Sequence, residues 1–122
     1  MSHKKLVRAA FRAAVFRRDQ FRCVMCGKAG YDRQDGDRQP QSAELVPLDA
    51  HHITSRDLLP HGGYVAENGI TLCDNGCHRT AEVFHQTGTA VPGFSPDELY
   101  RQIGSCYESA VKASVRLRFR IR

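Results

Sequence analysis

Cys73-Asp74-Asn75-Gly76-Cys77-His78-Arg79 decides the reading of this chain, because it sets two thiols close together and an imidazole directly after the second. Far upstream, Cys23-Val24-Met25-Cys26-Gly27-Lys28 reads as a tight knuckle and offers another close pair. Two such pairs can bring four thiolates to one tetrahedral ion, with the intervening chain folded as an excursion between them. Four sulfur ligands satisfy Zn²⁺ completely, so a site made of Cys23, Cys26, Cys73 and Cys77 is expected to be structural. The alternative is two unrelated pairs of buried thiols. Cys106 lies far from either pair and is expected to be a buried core thiol.

Working outward from the second pair, a helical pattern starts at Asn75 or Cys77 and runs to His85. It places Glu82 at i+4 and His85 at i+7 on the face of His78. Before it, Ile70-Thr71-Leu72 is a short strand leading into Cys73, and Asn68-Gly69 reads locally as a tight turn. Leu58 to Asn68 is a loop carrying Pro60, Gly62 and Gly63. Glu44 to Ile53 is rich in extended-chain formers and broken by Pro47, so an irregular strand is expected to deliver His51 and His52 at its end. Neighbours on a strand point to opposite faces. Tyr31 to Ser42, with Asp35-Gly36-Asp37 and Pro40, reads as a polar loop of the kind left by an insertion.

The arms differ from the centre. A basic amphipathic helix is expected over about 4–19, with Leu6, Val7, Ala10, Phe11, Ala14 and Val15 on one face and Arg8, Arg12 and Arg18 mostly on the other. Ser95-Pro96-Asp97-Glu98 is a strong helix start, and that helix is expected to run over about 96–113. In the basic tail, 114–122, Val115, Leu117, Phe119 and Ile121 alternate with arginines, the period of a strand. Residues 1–22 carry seven Lys/Arg against one Asp and residues 112–122 carry five and no acid, so 23–111 stands at −6 within a total of +5. Basic ends around an acidic centre suit a protein that grips a polyanion while its middle collects cations; solvated helix faces are the plainer reading. The 122 residues fit a single domain. No apolar run is long enough for a signal peptide or a membrane span, which makes the expected location cytoplasmic, with reduced thiols and no membrane partner.

Three segments lie in order and in register with the cysteine pairs: Asp49-Ala50-His51-His52-Ile53, then Glu67-Asn68-Gly69-Ile70-Thr71-Leu72-Cys73, then Cys77-His78-Arg79. Together with the lead-in Arg17-Arg18-Asp19-Gln20-Phe21-Arg22-Cys23, they resemble the HNH endonucleases over about residues 17–85. The resemblance implies an α+β fold with a ββα-metal (His-Me finger) core, here stapled by a four-cysteine zinc site and flanked by N-terminal and C-terminal helices. It implies His52 as general base, His51 and His78 as ligands of a catalytic divalent metal, and Asn68 as the residue that pins the loop and keeps the base oriented. Glu82 and His85 are further candidates for that metal, by helical spacing alone. Many members carry Asp where this chain has His51, use two residues inside the second knuckle rather than three, and have a shorter loop at 31–42.

Phosphodiester hydrolysis needs a base to activate water and a Lewis acid at the phosphate. Imidazole, with an ordinary pKa of about 6.5, accepts a proton near neutral pH. The catalytic metal is expected among Mg²⁺, Mn²⁺, Ni²⁺ and Zn²⁺, and imidazole ligands suit the last three better than Mg²⁺. Arg56 and Arg79 are expected at phosphate, and Arg12 and Arg18 along the nucleic acid. The expected substrate is DNA ahead of RNA, with a homodimer or a specificity-giving partner protein left open. A zinc-stapled nucleic-acid-binding module without cleavage is the competing expectation, and a protein-interaction domain a third.

Overall fold

Helix α1 (His3–Arg18) buries Phe11, Val15 and Phe16 along one stripe, while Leu6 in its first half stays 52% exposed. The computed structural model describes residues 3–35 and 44–117 of the chain. The helix ends as Gln20 and Phe21 turn to positive φ, and the Cys23–Lys28 knuckle follows, closed by Gly27 N–H to the Cys23 carbonyl at 2.8 Å. Gly27 has φ +81, which a side chain would strain.

Three strands form one sheet in the order β1 (Gly30–Asp32), β2 (Val46–His52), β3 (Gly69–Cys73). Strand β1 runs parallel to β2, so the expected loop from Tyr31 begins as a strand; three residues are too few to show an alternation in sequence. The rest of that loop, 36–43, lies outside the described residues. Strands β2 and β3 are antiparallel, pairing Leu48 with Cys73, His51 with Ile70 and His52 with Gly69. All five residues of β3 are buried. Gly69 is not the second residue of a tight turn: its φ is −121, and a Cβ there would meet Val15 Cγ2 at 2.4 Å. It is small because α1 crosses close above it.

Helix α2 (Cys77–Thr87) follows β3 directly and stops at Gly88, whose φ of +82 suits the left-handed helix end. The C-terminal region is two helices rather than one. Helix α3 (Pro96–Gln102) starts with the expected Ser95 cap and a reciprocal Glu98 bond, then ends at Gly104 with φ +68. Helix α4 (Tyr107–Arg116) starts afresh, with Cys106 Sγ accepting from Ser109 N–H. Cys106 is thus an exposed cap and not a core thiol. Val115 lies in α4, against the expected strand, and 118–122 lie outside the described residues. The whole is α+β, with four α-helices and a three-stranded sheet among the described residues. Its core joins Phe16, Leu48, Ile53, Ile70, Leu72, Leu99 and Tyr100. No described helix is long and apolar enough to cross a membrane.

Candidate functional site

The two cysteine pairs meet. The Sγ atoms of Cys23, Cys26, Cys73 and Cys77 lie within 4.8 Å of one another, and Cys26 and Cys73 sulfurs are 3.8 Å apart. A tetrahedron with Zn–S bonds of about 2.3 Å has edges of about 3.8 Å, so the donor set fits zinc in both chemistry and size. Backbone N–H groups of Cys26 and Cys77 point at Cys23 and Cys73 sulfurs at 3.5 and 3.3 Å. Burial, then the neighbouring Cys23 and Cys73, push the Cys77 thiol far up from its ordinary value. The four sulfurs are thus placed where they could hold a structural metal. None of the five cysteines is in a disulfide.

The same elements build a second cluster. Asp49 and His51 share one face of β2 and turn toward α2, whose first two turns carry His78 and Glu82. Glu82 Oε1 lies 3.3 Å from His51 Nδ1 and 3.2 Å from His78 Nε2. His51 is 2% exposed, and its Nδ1 has no hydrogen-bond partner: the contact to Glu82 lacks hydrogen-bond geometry. Two ring nitrogens and a carboxylate oxygen converging with one nitrogen orphaned fit a divalent cation of the kind that takes N and O ligands. Burial lowers the pKa of His51. The adjacent His51 holds the Glu82 carboxyl down at about 2 against the effect of burial. His78 is raised: burial alone would lower it, but Asp49 and Glu82 on its two nitrogens win.

Asp49 is 4% exposed and backs His78, with Oδ2 at 3.2 Å from Nδ1 and Oδ1 accepting from Arg33 Nε at 2.8 Å. Burial would raise its carboxyl, yet His78, Asp74 and Arg33 hold it well below the usual range, and the neighbouring Asp74 is pushed up in turn.

His52 points the other way, against α1. Its ring stacks on Phe11 at 4.6 Å and meets Tyr64 edge-on at 4.7 Å, and its Nε2 is buried without a partner. Burial, then Arg56, lowers its pKa to about 3, so the ring is neutral at neutral pH. His51, His52, His78, Glu82, Arg33 and Arg56 nevertheless line one cavity of about 330 Å³. A larger groove of about 430 Å³ lies between α1 and α4, but its lining is mostly apolar and holds none of these ligand atoms.

Asn68 is fully buried and uses both ends of its amide. Its Oδ1 accepts from Thr54 N–H (2.9 Å) and Tyr100 O–H (2.8 Å); its Nδ2 donates to the Thr54 and Gly63 carbonyls (3.0 and 3.2 Å). It therefore ties the segment after His52 to β3 and α3. Thr54 and Tyr100, which bond each other at 2.6 Å, were not expected from sequence, and neither was Arg33.

Other expected residues stand apart. His85 lies beside His51, ring centroids 5.2 Å apart, but its Nε2 donates to the His52 carbonyl at 3.0 Å, so it steadies the strand end instead of joining the cluster. Arg12 pairs with Asp32 at 3.1 Å. Arg18 bonds Asp19 and the carbonyls of Ala66 and Gly69. These bonds tie both arginines to neighbouring parts of the fold. Arg56 lines the cavity and donates to Tyr64 O–H at 3.0 Å. Arg79 is exposed on α2 and does not line it.

No family model matches the chain, and no curated protein or solved structure matches it.

Proposed function

We propose that this chain is a metal-dependent endonuclease of the HNH type that hydrolyses phosphodiester bonds in DNA. The observation that carries the reading is one cavity holding two opposed sets of groups: His51, His78 and Glu82 converging on one side, and a neutral, buried His52 on the other. The antiparallel β2–β3 pair followed by α2 is the succession that a ββα-metal core requires.

In this reading His51, His78 and Glu82 hold a divalent cation, which would supply Lewis acidity to the phosphate and the leaving oxygen. His52 accepts a proton from water as the new P–O bond forms and the bond to the leaving oxygen breaks. Asn68 holds the backbone after His52 in place, and Arg56 and Arg33 at the cavity wall meet the phosphate charge. The thiolate site would tie the 23–28 knuckle to the end of β3 and to α2, the helix that carries His78 and Glu82.

A second reading, a zinc-stapled module that binds nucleic acid without cutting it, is favoured by the low basicity of His52. One assay separates the two. Supercoiled plasmid and, in parallel, single-stranded RNA are incubated with the protein and Mg²⁺, Mn²⁺, Ni²⁺ or Zn²⁺, beside EDTA and His52→Ala. Nicked or linear plasmid from the wild type alone, abolished by EDTA, is expected. Binding without cutting by the wild type supports the module, and equal cutting by both proteins overturns the role of His52.

A further inference from the structure

We propose that Asp49, itself held by Arg33, is a positioning residue that keeps the His78 proton on Nδ1 and turns the Nε2 lone pair into the imidazole–carboxylate cluster. The inference rests on the cation site proposed above and adds a residue to it.

An ionised carboxylate only accepts hydrogen bonds. Asp49 Oδ2 at 3.2 Å from His78 Nδ1 therefore requires a proton on that nitrogen. In the neutral ring this leaves the lone pair on Nε2, which faces Glu82 Oε1 at 3.2 Å, a second group with nothing to donate. His51 Nδ1 faces the same oxygen at 3.3 Å without hydrogen-bond geometry. Three electron-rich atoms gathered within 4.8 Å of one another, two of them against the Glu82 carboxylate, call for positive charge among them, either a proton on His78 or a cation. A ligating histidine whose other nitrogen donates to a carboxylate is oriented and made more basic toward its ion.

Asp49 is built for that task. It lies two residues before His51 and so on the same face of β2, 4% exposed. Its other oxygen accepts from Arg33 Nε at 2.8 Å, which fixes the carboxylate plane. Asp49, Asp74 and His78 also place ligand atoms within 4.8 Å of one another. The Arg33 guanidinium already serves both carboxylates there, Asp74 at 3.4 Å, so these residues form an orienting group and not a second cation site.

The test uses the full chain loaded with zinc at the thiolates. Mn²⁺ affinity is measured by calorimetry for wild type, Asp49→Asn and Arg33→Gln, and the tautomer of His78 by ¹⁵N shifts of the imidazole at a pH where it is neutral. The expected results are a loss of Mn²⁺ affinity of roughly 10–100-fold in Asp49→Asn, a smaller loss in Arg33→Gln, and unchanged zinc content. The wild-type His78 proton is expected on Nδ1 and redistributed toward Nε2 in Asp49→Asn, and the loss of Mn²⁺ affinity with zinc content unchanged is what a merely structural ion pair would not produce. Mn²⁺ affinity within twofold of wild type in Asp49→Asn, or a wild-type proton on Nε2, overturns the proposal. If Asp49→Asn does not fold, Arg33→Gln and the wild-type tautomer decide it. If wild type takes up no Mn²⁺, the cation site itself fails, and the tautomer alone decides the role of Asp49.

Discussion

The thiolate cluster and the imidazole–carboxylate cluster share α2, yet they are built in opposite ways. At the first, four sulfurs lie within 4.8 Å of one another, and a tetrahedral ion held by all four would have no position left for another ligand. At the second, three ligand atoms gather at the wall of a cavity of about 330 Å³ with an imidazole and two guanidiniums beside them. A closed shell holds a chain together; a shell with open positions can admit water and a substrate oxygen. The junction Cys77-His78 makes the difference local, since one residue of α2 belongs to the staple and the next to the cavity. Stability and chemistry should therefore come apart on mutation.

The largest effect is expected from breaking the staple. Cys73→Ser removes a central sulfur, and the free energy of a structural zinc site, roughly 10–16 kcal/mol in small domains, rivals the whole stability of a domain this size. Near-UV circular dichroism should report loss of the native fold at room temperature, with bound zinc lost. A folded variant that retains zinc would contradict the division.

Asn68→Ala sharpens the comparison from the other side, since Asn68 touches no ligand atom. It strands the Thr54 N–H and the Thr54 and Gly63 carbonyls in a buried place. The expected loss is about 3 kcal/mol or more by urea denaturation, with zinc retained.

A smaller, pH-dependent effect belongs to His52. Its folded pKa of about 3 lies below the unfolded value of about 6.5. As the pH falls through the unfolded value, the unfolded chain binds a proton that the native ring refuses, so the native state loses stability toward acid. Between about pH 7 and 5.5, where thiolate-bound zinc still holds, urea midpoints should fall with a shallower slope for His52→Phe than for wild type. Equal slopes would mean that His52 is more solvated than its packing on Phe11 and Tyr64 implies.

Features with local causes were legible in the sequence. The spacing of the cysteine pairs foretold their meeting, the Ser95-Pro96-Asp97-Glu98 start marks a real helix end, and the helical interval between His78 and Glu82 puts both on one face. Asp-x-His at 49–51 also carried a readable signal, since alternation on a strand puts both side chains on one face. What escaped depends on tertiary neighbours. The partners of Arg12 and Arg18 could not be read because Asp32, Ala66 and Gly69 are distant in sequence. Tyr100 reaches Asn68 only once α3 folds back over the loop. The break between α3 and α4 was present in Gly104, but helical spacing on both sides of it masked the stop.

The most direct measurement is anomalous diffraction from crystals of the zinc-loaded protein soaked in Mn²⁺, for wild type and His51→Ala. A manganese peak is expected about 2.1–2.3 Å from His51 Nδ1, His78 Nε2 and a Glu82 oxygen in the wild type, none there in His51→Ala, and a zinc peak among the four sulfurs in both. A wild-type map with the zinc peak alone, or with manganese elsewhere, would contradict the proposed cation site.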